Sequence, residues 1–308
     1  MSGEDYRFAL AVRHQQNGAT QAAIDQLVEL LSESPNVAQY HGMLAVCLMG
    51  NRRMAAAAYE IDVALSLDPA SPFLFYVHAK LLVLQRKLRQ ALAACHKALE
   101  LNPQDAQTHL LVADIYELLE QPRDSKASID KAASLAPDSP SIPQAYAEYY
   151  LLRGDTKMAL EYATTAIRAN PSNPQTNVLL GKIQLNLGNA ERAEDHAKFA
   201  IMQNPSDRQA LILFANIRMR RNLVLGLWWR FNSWLSGLGS AKSALVLIFG
   251  YLFFNLLSVA AKDLGQPGVG ALLSFGWLGL VAYSWFGIPM YHRALRKELE
   301  SFRFNPHF

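Results

Sequence analysis

Pro35, Pro69, Pro103, Pro137, Pro171 and Pro205 stand 34 residues apart in this 308-residue chain. Self-similarity at one fixed period calls for a fold of stacked like units, because each unit is too small to bury an apolar face alone and must share it with its neighbours. Other positions keep the same phase. At 24 residues before the prolines lie Ala11, Ala45, Ala79, Ala113, Ala147 and Gly181. At 12 residues before them lie Ala23, Ala57, Ala91, Ser125, Ala159 and Ala193. At 5 residues before them lie Leu30, Ala64, Ala98, Ala132, Ala166 and Ala200, of which only Leu30 is bulky.

Each period reads as two antiparallel amphipathic helices, with a turn near Gly18, Gly154 or Gly188 and a stop at the proline. Small residues are needed where paired helices cross, because a missing side chain lets the axes approach while larger neighbours fill the grooves. Proline stops the second helix because it lacks the next backbone donor and turns its predecessor away from helical angles. Asn102-Pro103, Asn170-Pro171 and Asn204-Pro205 add turn chemistry.

This pattern resembles the tetratricopeptide repeat (TPR) family over roughly Glu4 to Asp207, as six repeats. The family's aromatic near the start of the first helix is kept only at Phe75; Arg7, His41, His109, Pro143 and Asn177 stand in the other repeats. The resemblance implies an all-α superhelical solenoid. Its concave face, lined by the first helix of each pair, binds peptides or helices of partner proteins. One TPR subset holds a partner's C-terminal carboxylate with a clamp of Lys, Asn and Arg on these helices. The matching places here, which include Gly42, Phe73, Gln144 and Glu148, carry no such clamp. The groove expected from the resemblance consists of Phe8, Val12, Met43, Val46, Tyr76, Val77, Lys80, Leu110, Leu111 and Asp114. Its amino-terminal half is apolar, which suits an apolar or amphipathic partner segment. These side chains either form a binding stripe or pack between repeats.

Little else in the chain carries chemistry. Cys47 and Cys95 fall inside helical segments and read as buried small hydrophobes. His41 and His109 occupy equivalent places two repeats apart, too far to share a metal, and no metal-ligand spacing appears. There is no phosphate loop or nucleophile elbow. The expectation is therefore a protein that is not an enzyme, without cofactor, metal or small-molecule substrate.

Charge divides the chain unequally. Up to Ile217 there are 19 Lys and Arg against 23 Asp and Glu, and after it 10 against 3. An acidic body with a basic tail fits a soluble module joined to a membrane-facing one, and does not fit a nucleic-acid binder that is basic along a whole face. The opening residues MSGEDYRFAL lack the basic and apolar stretches of a secretory signal, so the repeats are expected in the cytoplasm.

The repeats are expected over residues 1–207. Residues 208–242 are expected to cap the array and then lie on the membrane. Arg208 to Arg220 begin a seventh first-helix with Ala215 in the small position. Beyond it an amphipathic segment gathers Leu223, Val224, Leu227, Trp228, Phe231, Trp234 and Leu235 on one arc, with Arg221 and Arg230 at its edges and Leu225 and Trp229 off it. Arg221, Trp228, Trp229, Arg230 and Trp234 are the expected contacts with the bilayer interface.

Residues 243–291 are expected to form a transmembrane hairpin of spans 243–261 and 269–291, whose lengths match the hydrocarbon thickness. Asn255, Ser258, Gly270, Ser274, Gly276 and Gly279 supply the polar and small groups for close helix contact. Basic residues flank the pair on its outer ends, including the tail 292–308, which puts both termini in the cytoplasm. Three functions follow as expectations. The first is a bacterial inner-membrane scaffold or adaptor for protein partners. The second is a chaperone-like or targeting receptor for apolar client segments. The third is an accessory subunit of a membrane enzyme or transporter.

Overall fold

A computed structural model describes residues 3–204, 207–221, 240–266, 268–273, 275 and 293. The chain divides into two compact units, Met1–Pro171 and Ser172–Phe308. The first holds α1 (Gly3–Gln16), α2 (Thr20–Glu33), α3 (Ala38–Gly50), α4 (Met54–Leu67), α5 (Pro72–Leu84), α6 (Leu88–Leu101), α7 (Ala106–Leu118), α8 (Pro122–Leu135), α9 (Ser141–Leu152) and α10 (Thr156–Ala169). The second holds α11 (Pro174–Asn186), α12 (Ala190–Gln203), α13 (Arg208–Arg221) and α14 (Ser240–Asp263). Helices pair in sequence, α1 with α2 through α11 with α12.

The stops act as the prolines predict. Ser34, Asp68, Asn102, Ala136, Asn170 and Asn204 each precede a repeat proline, and all leave helical angles, with φ between −131° and −142° and positive ψ. Helix starts are set locally too. Pro72, Pro122 and Pro174 begin α5, α8 and α11, where their missing N–H costs nothing. Asp105 and Asn173 cap α7 and α11 by accepting from two backbone N–H groups each.

The crossing positions are buried throughout. Ala11, Ala45, Ala79 and Ala147 are inaccessible to solvent, and so are Ala23, Ala57, Ala91, Ser125, Ala159 and Ala193. At Gly181 an added Cβ would lie 2.5 Å from Leu213 Cδ2 and 3.3 Å from the Ala193 carbonyl oxygen, so a larger residue there would make Leu213 of α13 shift.

Two features go beyond the sequence pattern. The turn inside each pair is left-handed at one position, 17 residues before the proline. Gly18, Gly154 and Gly188 take it at φ 77°, 76° and 86°, and Arg52, Arg86 and Glu120 take it at 58°, 61° and 59°. The first helices are also not one-sided. α3 buries Tyr40, Gly42, Leu44, Ala45, Cys47, Leu48 and Met49, whereas its partner α4 buries only Ala57, Ile61 and Ala64. The reason is packing on several sides, since α3 touches α1, α2, α4 and α5.

In the second unit α13 packs on α11 and α12 through Ala210, Leu213, Phe214, Ala215 and Ile217. Arg220 Nη1 donates to the Leu185 carbonyl at 2.7 Å. Arg221 ends α13; Trp228, Trp229, Arg230 and Trp234 lie outside the described residues, as do most of 269–291 and of the tail.

α14 runs 24 residues, and the chain then reverses at Gly265, φ 76°. Helical backbone resumes at 268–273. Two expected close-contact residues do meet here: Ser258 Oγ donates to the Gly270 carbonyl at 2.7 Å. A Cβ on Gly270 would lie 2.7 Å from the Ser258 carbonyl oxygen. The expected pair of spans is not seen, for among the described residues no helix is long and apolar enough to cross a membrane.

Candidate partner-binding groove

The first helices α1, α3, α5 and α7 contact one another in succession within the first unit, so side chains at equivalent positions form rows. One row reads Val12, Val46, Lys80, Asp114 and Glu148, one residue per repeat. It turns from apolar to charged along its length.

At the apolar end Phe8, Met43, Val46, Phe73 and Tyr76 are half-buried and rest on the core that contains Leu44, Ala45 and Leu81. The Phe8 and Tyr40 rings lie 5.1 Å apart. Gly42 admits Phe73, whose ring edge would be 3.1 Å from an added Cβ. Val12 and Leu110 are half-buried as well.

Val77 and Leu111 depart from the expected groove. Val77 is 0% exposed and packs with Ile61 and Leu81. Leu111 is buried with Ala79, Ala91 and Val112. Both sit on sides of α5 and α7 covered by neighbouring helices, so they are core residues that position the groove wall.

At the charged end the Lys80 ammonium stands 5.5 Å from the Tyr76 ring centroid, and burial pulls its pKa down while Asp114 opposes this. Asp114 is raised to about 7, first by crowding from the protein around it and then by the like charges of Glu148 and Glu117. Its side chain still meets solvent, which screens part of this effect; the direction stands because crowding and like charge act together. Glu117 pairs with Arg153 at 2.8 Å, and Glu148 accepts from Gln144 Nε2 at 3.1 Å.

Asp114, Glu117 and Glu148 line a cavity of about 320 Å³ together with Ser125 and Tyr149. Sequence reasoning missed Glu117, Ser125 and Tyr149 as site residues. One signal was available: Ser125 is the single departure from alanine at its repeat position.

His41 and His109 have structural partners. His41 Nε2 lies 2.8 Å from the Pro35 carbonyl oxygen and its Nδ1 2.6 Å from Glu60. His109 Nε2 lies 3.3 Å from the Pro103 carbonyl oxygen. Equivalent histidines thus hold the proline turn that precedes their helix. Among the described residues no group of His, Cys, Asp and Glu is placed to hold a metal ion.

Models of the tetratricopeptide repeat match residues 8–72 and 76–141, and a second such model matches 150–217. The chain belongs to the tetratricopeptide repeat family. TPR proteins mediate protein–protein interaction. Among solved structures, the chain is similar to a thermophilic TPR protein of Thermus thermophilus, at 25% identity and a TM-score of 0.55, over 59% of this chain and 100% of that one. It is similar in fold to yeast Tom70, at 17% identity and a TM-score of 0.53, over 80% of this chain and 54% of that one. PilW, a type IV pilus biogenesis factor, is similar in fold at 17% identity and a TM-score of 0.51, over 68% of this chain and 97% of that one. No curated protein matches the chain.

Proposed function

We propose that this chain is a membrane-anchored adaptor of six TPR repeats that holds an apolar segment of a partner protein in its groove. The half-buried stripe of Phe8, Met43, Val46, Phe73 and Tyr76 carries the proposal. Side chains already resting on a rigid core lose little further freedom on binding, so covering them with apolar surface is favourable by about 25 cal/mol per Å² before the association cost. A segment lying along α1, α3 and α5 would cover this stripe.

Anchoring rests on α14. Ile248, Phe249, Leu252, Phe253, Leu256 and Val259 are all exposed, and at about 100° per residue they fall on one arc of about 140° of the helix. A broad exposed apolar face of this kind needs an apolar covering, which lipid supplies. With Ser258 and Gly270 in contact, α14 and the helical residues after it would form a hairpin anchor, and its flanking basic residues would keep the repeats in the cytoplasm.

The test places photoreactive residues at Val46 and Tyr76 of the full chain and identifies what is captured. Met43→Glu and Val46→Glu are expected to abolish capture while the helical melting temperature stays within a few degrees of wild type. Unfolding of both variants would make the stripe core and overturn the groove. Reporters at Asp263 and Phe308 test the anchor, and finding both on the same side of the membrane would overturn the hairpin.

A further inference from the structure

We infer that the cavity between α5, α7, α8 and α9 receives a cationic side chain, the lysine or arginine of a partner segment. This rests on the proposed groove, whose row of equivalent positions passes from Val12 and Val46 through Lys80 to Asp114 and Glu148. A segment that lays apolar residues on α1 and α3 would present its next residues to this cavity.

Three observations select the ligand. Charge comes first: α7 contributes Asp114 and Glu117 and α9 contributes Glu148, and Arg153 pairs with Glu117. Lys80 on α5 influences Asp114 but is not part of the lining. The lining thus holds three carboxylates and no lysine or arginine, and its walls include Val83 and Leu152, which suit the methylene stem of a long cationic side chain.

The second observation is Ser125. It is 0% exposed, lines the cavity, and its Oγ has no hydrogen-bond partner among the described residues. Alanine at the same place in the other repeats shows that packing there does not need a hydroxyl. A buried hydroxyl left without a partner is costly, and a ligand N–H would satisfy it.

The third is size and spacing. At about 320 Å³ the cavity is at the small end of ligand pockets, which span about 300–1,000 Å³. It has room for one side chain, not for a helix. The carboxylates are not placed to hold a metal ion. An ammonium or guanidinium, with several donors directed outwards, can reach acceptors that a compact ion would leave too distant.

The experiment uses the full chain in lipid nanodiscs with labelled isoleucine methyl groups, because Ile129 is a buried member of the lining. It is titrated with n-butylammonium and n-butylguanidinium, and with 1-butanol and butyrate as neutral and anionic counterparts. A saturable shift of the Ile129 methyl is expected with the cations alone. Asp114→Asn combined with Glu148→Gln is expected to weaken it at least tenfold. Ser125→Ala, which keeps the packing of the other repeats, is expected to weaken it about three- to tenfold.

Apparent affinity is expected to rise about tenfold from pH 6 to pH 8, because the cation selects ionised Asp114 and binding releases its proton. The groups that set this titration are Lys80 from α5, Glu117 from α7 itself and Glu148 from α9, with only the Ser125 hydroxyl from α8. An equal response to butanol, or none to either cation, would overturn the inference. Cation binding without cross-linking at Val46 would sink the groove alone, and cross-linking without a cation response would sink the cavity alone.

Discussion

Arg153, the residue that ends α9, pairs with Glu117 of α7 at 2.8 Å while its guanidinium lies 3.3 Å from the centroid of the Tyr149 ring. One cation thereby ties two repeats together at the mouth of an acidic cavity. Replacing it as Arg153→Gln leaves Glu117 uncompensated beside Asp114 and Glu148. The Asp114 titration midpoint, followed by carboxyl-carbon NMR, is expected to move up from about 7. Both side chains of the pair are partly exposed, so the cost in stability is expected to be about 1 kcal/mol or less.

Asp114 also makes stability depend on pH. Its pKa is raised in the folded chain, so the folded state holds the proton more tightly than the unfolded state and stability falls as pH rises through the range from about 4 to about 7. Asp114→Asn removes this loss. Its melting temperature is expected to exceed wild type at pH 8 and to match it at about pH 2.5, where the aspartate is protonated in both states. Equal melting temperatures at pH 8 would show that solvent screens the carboxyl fully.

The left-handed turn offers a stabilising change. Arg52, Arg86 and Glu120 adopt φ near 60°, where a Cβ crowds the backbone and glycine does not. Arg52→Gly, Arg86→Gly and Glu120→Gly are each expected to gain about 0.5–1 kcal/mol after the entropy cost of glycine. Urea melts of the three variants and of Gly154→Ala, which is expected to lose stability, check this.

Ser258 and Gly270 define the reversal after α14. Because a Cβ on residue 270 would meet the Ser258 carbonyl at 2.7 Å, Gly270→Val is expected to separate the two segments. Ser258→Ala removes only the hydrogen bond, worth about 1 kcal/mol. Cysteine pairs placed across the turn, with disulfide formation as the readout, are expected to close in Ser258→Ala and to stay open in Gly270→Val.

Cys47 and Cys95 are buried, and burial pushes their thiols up to about 11 and about 12. The thiolate is the reacting form, so iodoacetamide at pH 8 is expected to leave both unmodified in the folded chain and to label both in urea. Labelling of the folded chain would mean that α3 and α6 open locally.

The helix pairs, their stops and their crossing positions were legible because each depends on a residue's own chemistry at a fixed phase. Pro103 ends α6 whatever surrounds it, and Ala79 is small in any context. The exposure of the candidate stripe was legible in part. Met43, Val46 and Tyr76 have the half-exposed placement expected of them, but Val77 and Leu111 have gone into the core. Nothing in the character of a valine distinguishes Val46 from Val77; their difference is set by which neighbouring helix covers each.

The sequence by itself determined a tetratricopeptide array, since a 34-residue period with small residues at three phased positions leaves few other ways to bury apolar surface. Tertiary structure decided three things the period does not encode. It placed Arg52, Arg86 and Glu120 in a conformation their side chains disfavour, because the geometry of the helix pair outweighs a local preference. It sorted first-helix residues between the core and the half-exposed surface. It also brought Asp114, Glu117, Ser125 and Glu148 around one cavity. That convergence depends on the stacking of successive helices, and stacking is a property of neighbours in space, which a linear pattern does not contain.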